Sequence, residues 1–171
     1  MMKLLKNQVG YALVIVLLTI TVIMILIPPI LSNLLNSTQQ YQTTEQRLQL
    51  TKLEDMGVIY FKKALNNATE EARTNVLVWL EDQSNAASDN VAIINQYKEE
   101  LQSSLGNYGL GSELEIIVEP NEERFKIMID SITIEDNTNL SVKSSIIPSL
   151  DNKYDESNVI DQEQTINLQI Q

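Results

Sequence analysis

The side chains that could do chemistry in this chain are carboxylates. Its 171 residues include 23 Asp+Glu against 12 Lys+Arg, with no His and no Cys, for a formal charge of −11. Acid–base catalysis needs carboxylates that converge on one point. The evident pairs here, Glu70-Glu71, Glu99-Glu100 and Glu122-Glu123, are adjacent in sequence, and on a helix neighbours diverge by about 100°. Asp151, Asn152, Asp155 and Glu156 form an oxygen-rich run of the kind that holds calcium, but the run lacks the glycine of an EF-hand loop, and solvated loop charge is the simpler reading. Asp136, Asn137 and Asn139 have the character of turn formers. The absence of His removes the commonest general base and transition-metal ligand. The absence of Cys removes disulfides, thiolate chemistry and cysteine-borne lipid. No catalytic residue, metal site or cofactor is expected, and the chain does not read as an enzyme. So acidic a body repels phosphate backbones, and direct nucleic acid binding is not expected.

A backbone bond offers more than these side chains do. Lys3 and Lys6 lead into Gly10-Tyr11, and no charged residue follows until Glu45. From Tyr11 to Leu35 the only polar side chains are Tyr11, Thr19, Thr21, Ser32 and Asn33, enough apolar length for one membrane crossing, which takes roughly 20 residues. With both lysines on its N-terminal side, the positive-inside bias keeps the N-terminus cytoplasmic and the body outside. A secretory signal would need a small-x-small cut site after the apolar core, and Ser32-Asn33-Leu34-Leu35-Asn36 supplies none. A plain single-span anchor and a leader processed at its upstream glycine remain open on the residues alone. Pro28-Pro29 predicts either a kink or local melting, or else the end of the membrane helix.

The run Lys6-Asn7-Gln8-Val9-Gly10-Tyr11-Ala12-Leu13-Val14-Ile15 resembles the class III leader of type IV pilins and pseudopilins. The resemblance implies that a prepilin peptidase cuts after Gly10 at the cytoplasmic face and methylates the new N-terminal residue, Tyr11. Where most members carry Glu at the fifth mature position, this chain has Ile15. In the family that carboxylate pairs with the N-terminal amine of a neighbouring subunit, a pairing that offsets the cost of a charge in lipid. Minor pseudopilins similar to this chain also lack it, and some sit at the fibre tip, where no subunit lies ahead. Leu53-Glu54-Asp55-Met56-Gly57 resembles a second stretch of such minor pilins, an acid and a glycine of the form Ala-Glu-x-Gly. There Gly57 would let the helix pack closely on a neighbouring element. The resemblance covers residues 1 to about 65.

These residues require elements to carry them. No Pro or Gly interrupts the chain between Ile30 and Met56, so the membrane helix is expected to continue as an amphipathic helix whose stripe is Leu50, Leu53, Gly57, Tyr60, Phe61, Ala64 and Leu65. Asn67 and Glu70 read as the cap of a new helix carrying Ala72, Val76, Leu77 and Leu80 in line. Trp79 lies off that stripe, as a packing residue or a partner contact. Gln83–Asp89 reads as a polar loop. A further helix from Ser88 or Asp89 aligns Ile94, Tyr97, Leu101 and Leu105 and stops at Gly106.

From Glu113 the apolar period becomes two. Leu114, Ile116 and Val118 form one strand, with a turn at Pro120–Glu123. Phe125, Ile127 and Ile129 form the next, and Ile132 and Ile134 continue in opposite phase, which predicts a bulge at Asp130-Ser131. A hairpin at Asp136–Asn139 returns the chain through Leu140, Val142 and Ile146. Pro148–Asn158 reads as a polar loop, and Ile166, Leu168 and Ile170 as a last strand.

The expected architecture is α+β and pilin-like: a leader (1–10), a transmembrane helix (11–35), its amphipathic continuation (36–66), a helical segment (67–106) and an antiparallel region of three or four strands (107–171). The expected function is a minor pilin-like subunit of a type IV pilus or competence-type filament, priming assembly or sitting at the tip. Its expected partners are major and minor pilin-like subunits, prepilin peptidase and membrane lipid. Tyr11, Ile15, Pro28, Pro29 and Gly57 are the expected assembly positions, and the expected location is a single-pass cell membrane, then a surface filament. The rival reading is a single-span receptor or adhesion module that never joins a filament.

Overall fold

The computed structural model describes residues 3–81, 89–118, 123–136, 138–151 and 153–168. The chain divides into two units, Met1–Gln46 and Arg47–Gln171. Helix α1 (Lys3–Glu81) supplies all of the first unit's secondary structure and opens the second.

In the first unit α1 carries the apolar run. It is long and apolar enough to cross a membrane, and none of the spanning stretch is buried inside the protein. Its two threonines close on the helix itself: Thr19 Oγ1 donates to the Val16 carbonyl and Thr21 Oγ1 to the Leu17 carbonyl, both at 2.8 Å. That satisfies both threonine hydroxyls within the helix. Pro28 and Pro29 stand inside the helix, so they neither end nor melt it. Proline costs a helix one donor and crowds the preceding turn, and here the flanking apolar turns keep their helical form through both.

The second unit is α+β. Helix α2 (Asn90–Asn107) and the C-terminal part of α1 lie with four strands, β1 (Glu113–Val118), β2 (Glu123–Ile134), β3 (Asn139–Ser149) and β4 (Ile160–Asn167), with a short 3-10 turn at Glu156–Asn158. The strands form one antiparallel sheet in the order β1-β2-β3-β4. Asp89 caps α2 by accepting the Ala92 N–H at 2.8 Å, and Gly109, at φ 79°, turns the chain toward the sheet in a conformation that favours glycine. The predicted phase change is present: the β2–β3 register shifts between Ile129 and Ser131. This bulge keeps Phe125, Ile127, Ile129, Ile132 and Ile134 on one face despite the odd spacing. Asp136 closes the hairpin by accepting from Thr138 N at 2.7 Å and from Asn139 Nδ2 at 2.8 Å.

The core joins Leu53, Phe61, Ala64, Leu65, Ala68, Ala72 and Val76 of α1 to Ile94, Tyr97, Leu101 and Leu105 of α2 and to Phe125, Ile127, Leu140, Val142 and Ile146 of the sheet. Tyr97 Oη donates to the Thr69 carbonyl at 3.1 Å, tying the helices together where the hydroxyl is withdrawn from water. Ser144 also points to this face, fully buried, and its Oγ has no hydrogen-bond partner among the described residues.

Several expectations are corrected. No helix begins at Asn67, because α1 runs unbroken from the stalk to Glu81. The boundary placed at 66/67 therefore does not divide helices. Ala64, Ala68 and Ala72 are all buried, and this strip of small residues carries one helix across the polar Asn66-Asn67 pair. Leu77 is exposed, not in line with the core. Pro148 belongs to β3, beyond the last β3–β4 pair, Ile146↔Ile160, where its missing N–H takes nothing from β4. The last strand starts at Ile160, earlier than expected, and Leu168 lies just past its end. The expected features at Gln83–Ser88, Pro120–Glu122, Asn137, Asn152 and Ile170 fall outside the described residues.

Candidate functional site

The candidate site is α1, and its two stretches make different demands. Lys3, Lys6 and Gly10 fall within the helix bounds, but their side-chain surroundings lie outside the described residues. Tyr11 is the first residue of the exposed run, at 70 % exposure, and Ile15 follows one turn later at 44 %. Between Leu13 and Leu35 every large apolar side chain is exposed. Each such side chain left in water forgoes roughly 1.5–3 kcal/mol, so the run requires lipid or other apolar helices around it. Ile15 presents a hydrocarbon side chain with no ability to pair with an amine. The prolines at 28 and 29 sit on this same exposed stretch.

Gly57 lies on the buried face of the other stretch. A Cβ placed there would stand 2.6 Å from Cγ2 of Ile146 and 3.2 Å from Cδ2 of Phe125. Both atoms belong to core side chains of the sheet's central strands. The glycine therefore sets how closely α1 approaches β2 and β3. Leu50, Leu53, Phe61, Ala64 and Leu65 occupy the same face, with Leu50 half-buried, whereas Tyr60 is exposed at its edge and reaches the Tyr108 carbonyl at 3.4 Å. Trp79 is half-buried near the end of α1.

The carboxylates singled out from the sequence form no joint site among the described residues, where no group of three or more His, Cys, Asp or Glu is placed to hold a metal. Asp151 accepts from Lys153 N at 3.0 Å, and Asp155 from Ser157 N at 2.9 Å. Each shapes its own turn, and the Ser157 amide holds the Asp155 carboxyl below the usual carboxylate range. Glu70 and Glu99 are exposed, while Glu71 meets Asn107 at 3.3 Å and Glu100 meets Asn75 at 3.0 Å.

The sheet face turned away from the core carries a charged network that the sequence did not announce. Register puts Glu115 beside Lys126 and Lys126 beside Ile147. Arg124 Nη1 meets Glu115 Oε1 at 3.0 Å, Lys126 Nζ meets Glu113 Oε1 at 2.7 Å, and Lys143 meets Glu163 at 3.3 Å. Tyr154, from the β3–β4 connection, donates to the same Glu115 oxygen at 2.7 Å. The Tyr154 and Arg124 bonds together hold the Glu115 carboxyl below its ordinary range. Strand pairing and the β3–β4 connection bring these residues together, so their linear spacing gave no signal.

Clefts also open on the surface of the second unit. One of about 270 Å³ lies between α2 and β2 beside the bulge, lined by Lys98, Gln102, Asp130 and Ser131 among others. Another of about 330 Å³ lies between α1 and the start of β4, lined by Arg47, Leu50, Glu54, Pro148 and Val159 among others. The chain matches no known protein family, no curated protein and no solved structure.

Proposed function

We propose that this protein is a minor pilin-like subunit of a type IV pilus or competence-type filament, cut after Gly10 by a prepilin peptidase and methylated on Tyr11. One observation carries the reading: an apolar, entirely unburied helical run follows directly on a short basic leader whose Gly10 meets the aromatic Tyr11. Such a surface is satisfied first by lipid and later by the matching helices of other subunits. In lipid, helix association gains little from hydrophobic burial, so packing shape and flanking contacts choose the partner. The N-terminus remains on the cytoplasmic side, following Lys3 and Lys6, and the acidic second unit is extracytoplasmic.

Processing has a physical requirement in this chain. The Gly10–Tyr11 bond lies within the bounds of α1, so the first turns must unwind before a peptidase can reach it. Glycine weakens a helix by roughly 1 kcal/mol relative to alanine, and helix ends fray, which puts the weak point at the cut. Ile15 cannot form the carboxylate–amine pair through which a shaft subunit engages the one ahead, which suits a priming or tip position. That same residue is what favours the second reading, a single-span receptor or adhesion module outside any filament. Intact mass of the protein recovered from envelopes separates the two: the filament subunit begins at Tyr11 with a methyl group, and the receptor keeps residues 1–10.

A further inference from the structure

We propose that residues 153–158 form a strap, latched by Tyr154 onto edge strand β1, that releases as a unit while the sheet stays folded. The β3–β4 ladder ends at Ile146↔Ile160, so the chain between them leaves that pairing. The strap then crosses the outer face by way of its side chains. Tyr154 Oη reaches Glu115 Oε1 on β1 at 2.7 Å, and the Tyr154 ring lies 4.7 Å from Lys126 Nζ on β2. At its base the Ser149 hydroxyl donates to the Lys153 carbonyl at 2.7 Å. The 3-10 turn behind Tyr154 is closed locally by Asp155, so it moves with the tyrosine.

The latch has a visible consequence for packing. Glu115, Lys126 and Ile147 share one row of the sheet, and Ile147 is only 6 % exposed although it points to the outer face. β1 is a six-residue edge strand paired on one side only, and Tyr154 supplies it with a second attachment from a residue 39 positions later. A charge-assisted hydrogen bond and a cation–π contact hold this junction, and losing both frees the strap and loosens edge strand β1 while the β2–β3 and β3–β4 ladders stay closed. The charged groups facing Tyr154 and Glu115 are Glu113 from β1 and Arg124 and Lys126 from β2.

Hydrogen exchange read by mass spectrometry on the full-length protein in detergent tests this. In Tyr154→Phe, which keeps the ring and removes the donor, amides of residues 153–158 and 113–118 should exchange about ten-fold faster, with those of 140–146 unchanged. Lys126→Met, which keeps the stem and removes the charge, should produce the same pattern more weakly. Unchanged exchange in both segments, or acceleration of all three together, would overturn the proposal, the latter because it marks loss of the whole sheet.

Discussion

Gly57 carries the closest approach of α1 to the sheet, and the space it leaves is already filled. A methyl group there would press on Ile146, whose branched side chain has little freedom at χ1. Overpacking of this kind costs roughly 1–3 kcal/mol, more than the roughly 1 kcal/mol that alanine gains in a helix. Gly57→Ala should therefore lower the unfolding midpoint of the second unit in urea, and an unchanged or raised midpoint would show that the contact gives way freely. Tyr97 makes a separate prediction. Burial pushes its hydroxyl up to about 12, above the ordinary value of 10 in the unfolded chain. A group whose folded value is raised stabilises fully below the unfolded value and loses that contribution as pH rises through the folded one. Stability should thus fall between about pH 10 and 12 with Tyr97 present. In Tyr97→Phe the loss across that window should shrink, over a baseline lowered by about 1 kcal/mol for the bond to Thr69, as read by denaturant melts at stepped pH.

At the scale of elements, the sequence was informative where period and turn chemistry agreed. The burial of Ile94, Tyr97, Leu101 and Leu105, the start of α2 after Asp89, the hairpin at Asp136 and the bulge at Asp130 all follow from local pattern, and all are present. The failures share a cause: tertiary packing overrode a local signal. Asn67 and Glu70 look like a cap, yet the alanine strip at 64, 68 and 72 packs a continuous helix. β4 escaped notice at its start because Gln162 and Gln164 hold inner-face positions between Ile160 and Ile166, and the inner face of an edge strand is only half covered. The outer network of Glu115, Arg124, Lys126 and Tyr154 was illegible because its members meet only through the β1–β2 register and the path of the β3–β4 connection. Helix continuity yields a prediction of sign. At a true N-cap, Asn67→Ala costs about 1 kcal/mol. Inside an exposed helical stretch it gains a few tenths. The structure requires a slightly raised melting midpoint, and a clear drop would restore the broken helix.

At the scale of the whole molecule, the two units obey opposite rules of solvation. The second buries an apolar core between helices and one sheet face and keeps charge outside. The first exposes an apolar run that water does not tolerate, behind two lysines and a glycine. This contrast was legible from composition alone. Gly10 and Tyr11, the positions on which the proposed processing turns, were legible as a motif. What the sequence could not display was Gly57's contact with Ile146 and Phe125, since it depends on strands some 70 to 90 residues downstream. The central claim is that the apolar helix is a processed assembly element. Its most direct test is the intact mass and N-terminal fragment of the protein isolated from native envelopes. The account predicts a chain that starts at a methylated Tyr11 and lacks residues 1–10. A chain that retains Met1 or Met2 through Gly10, with Tyr11 unmodified, would contradict it.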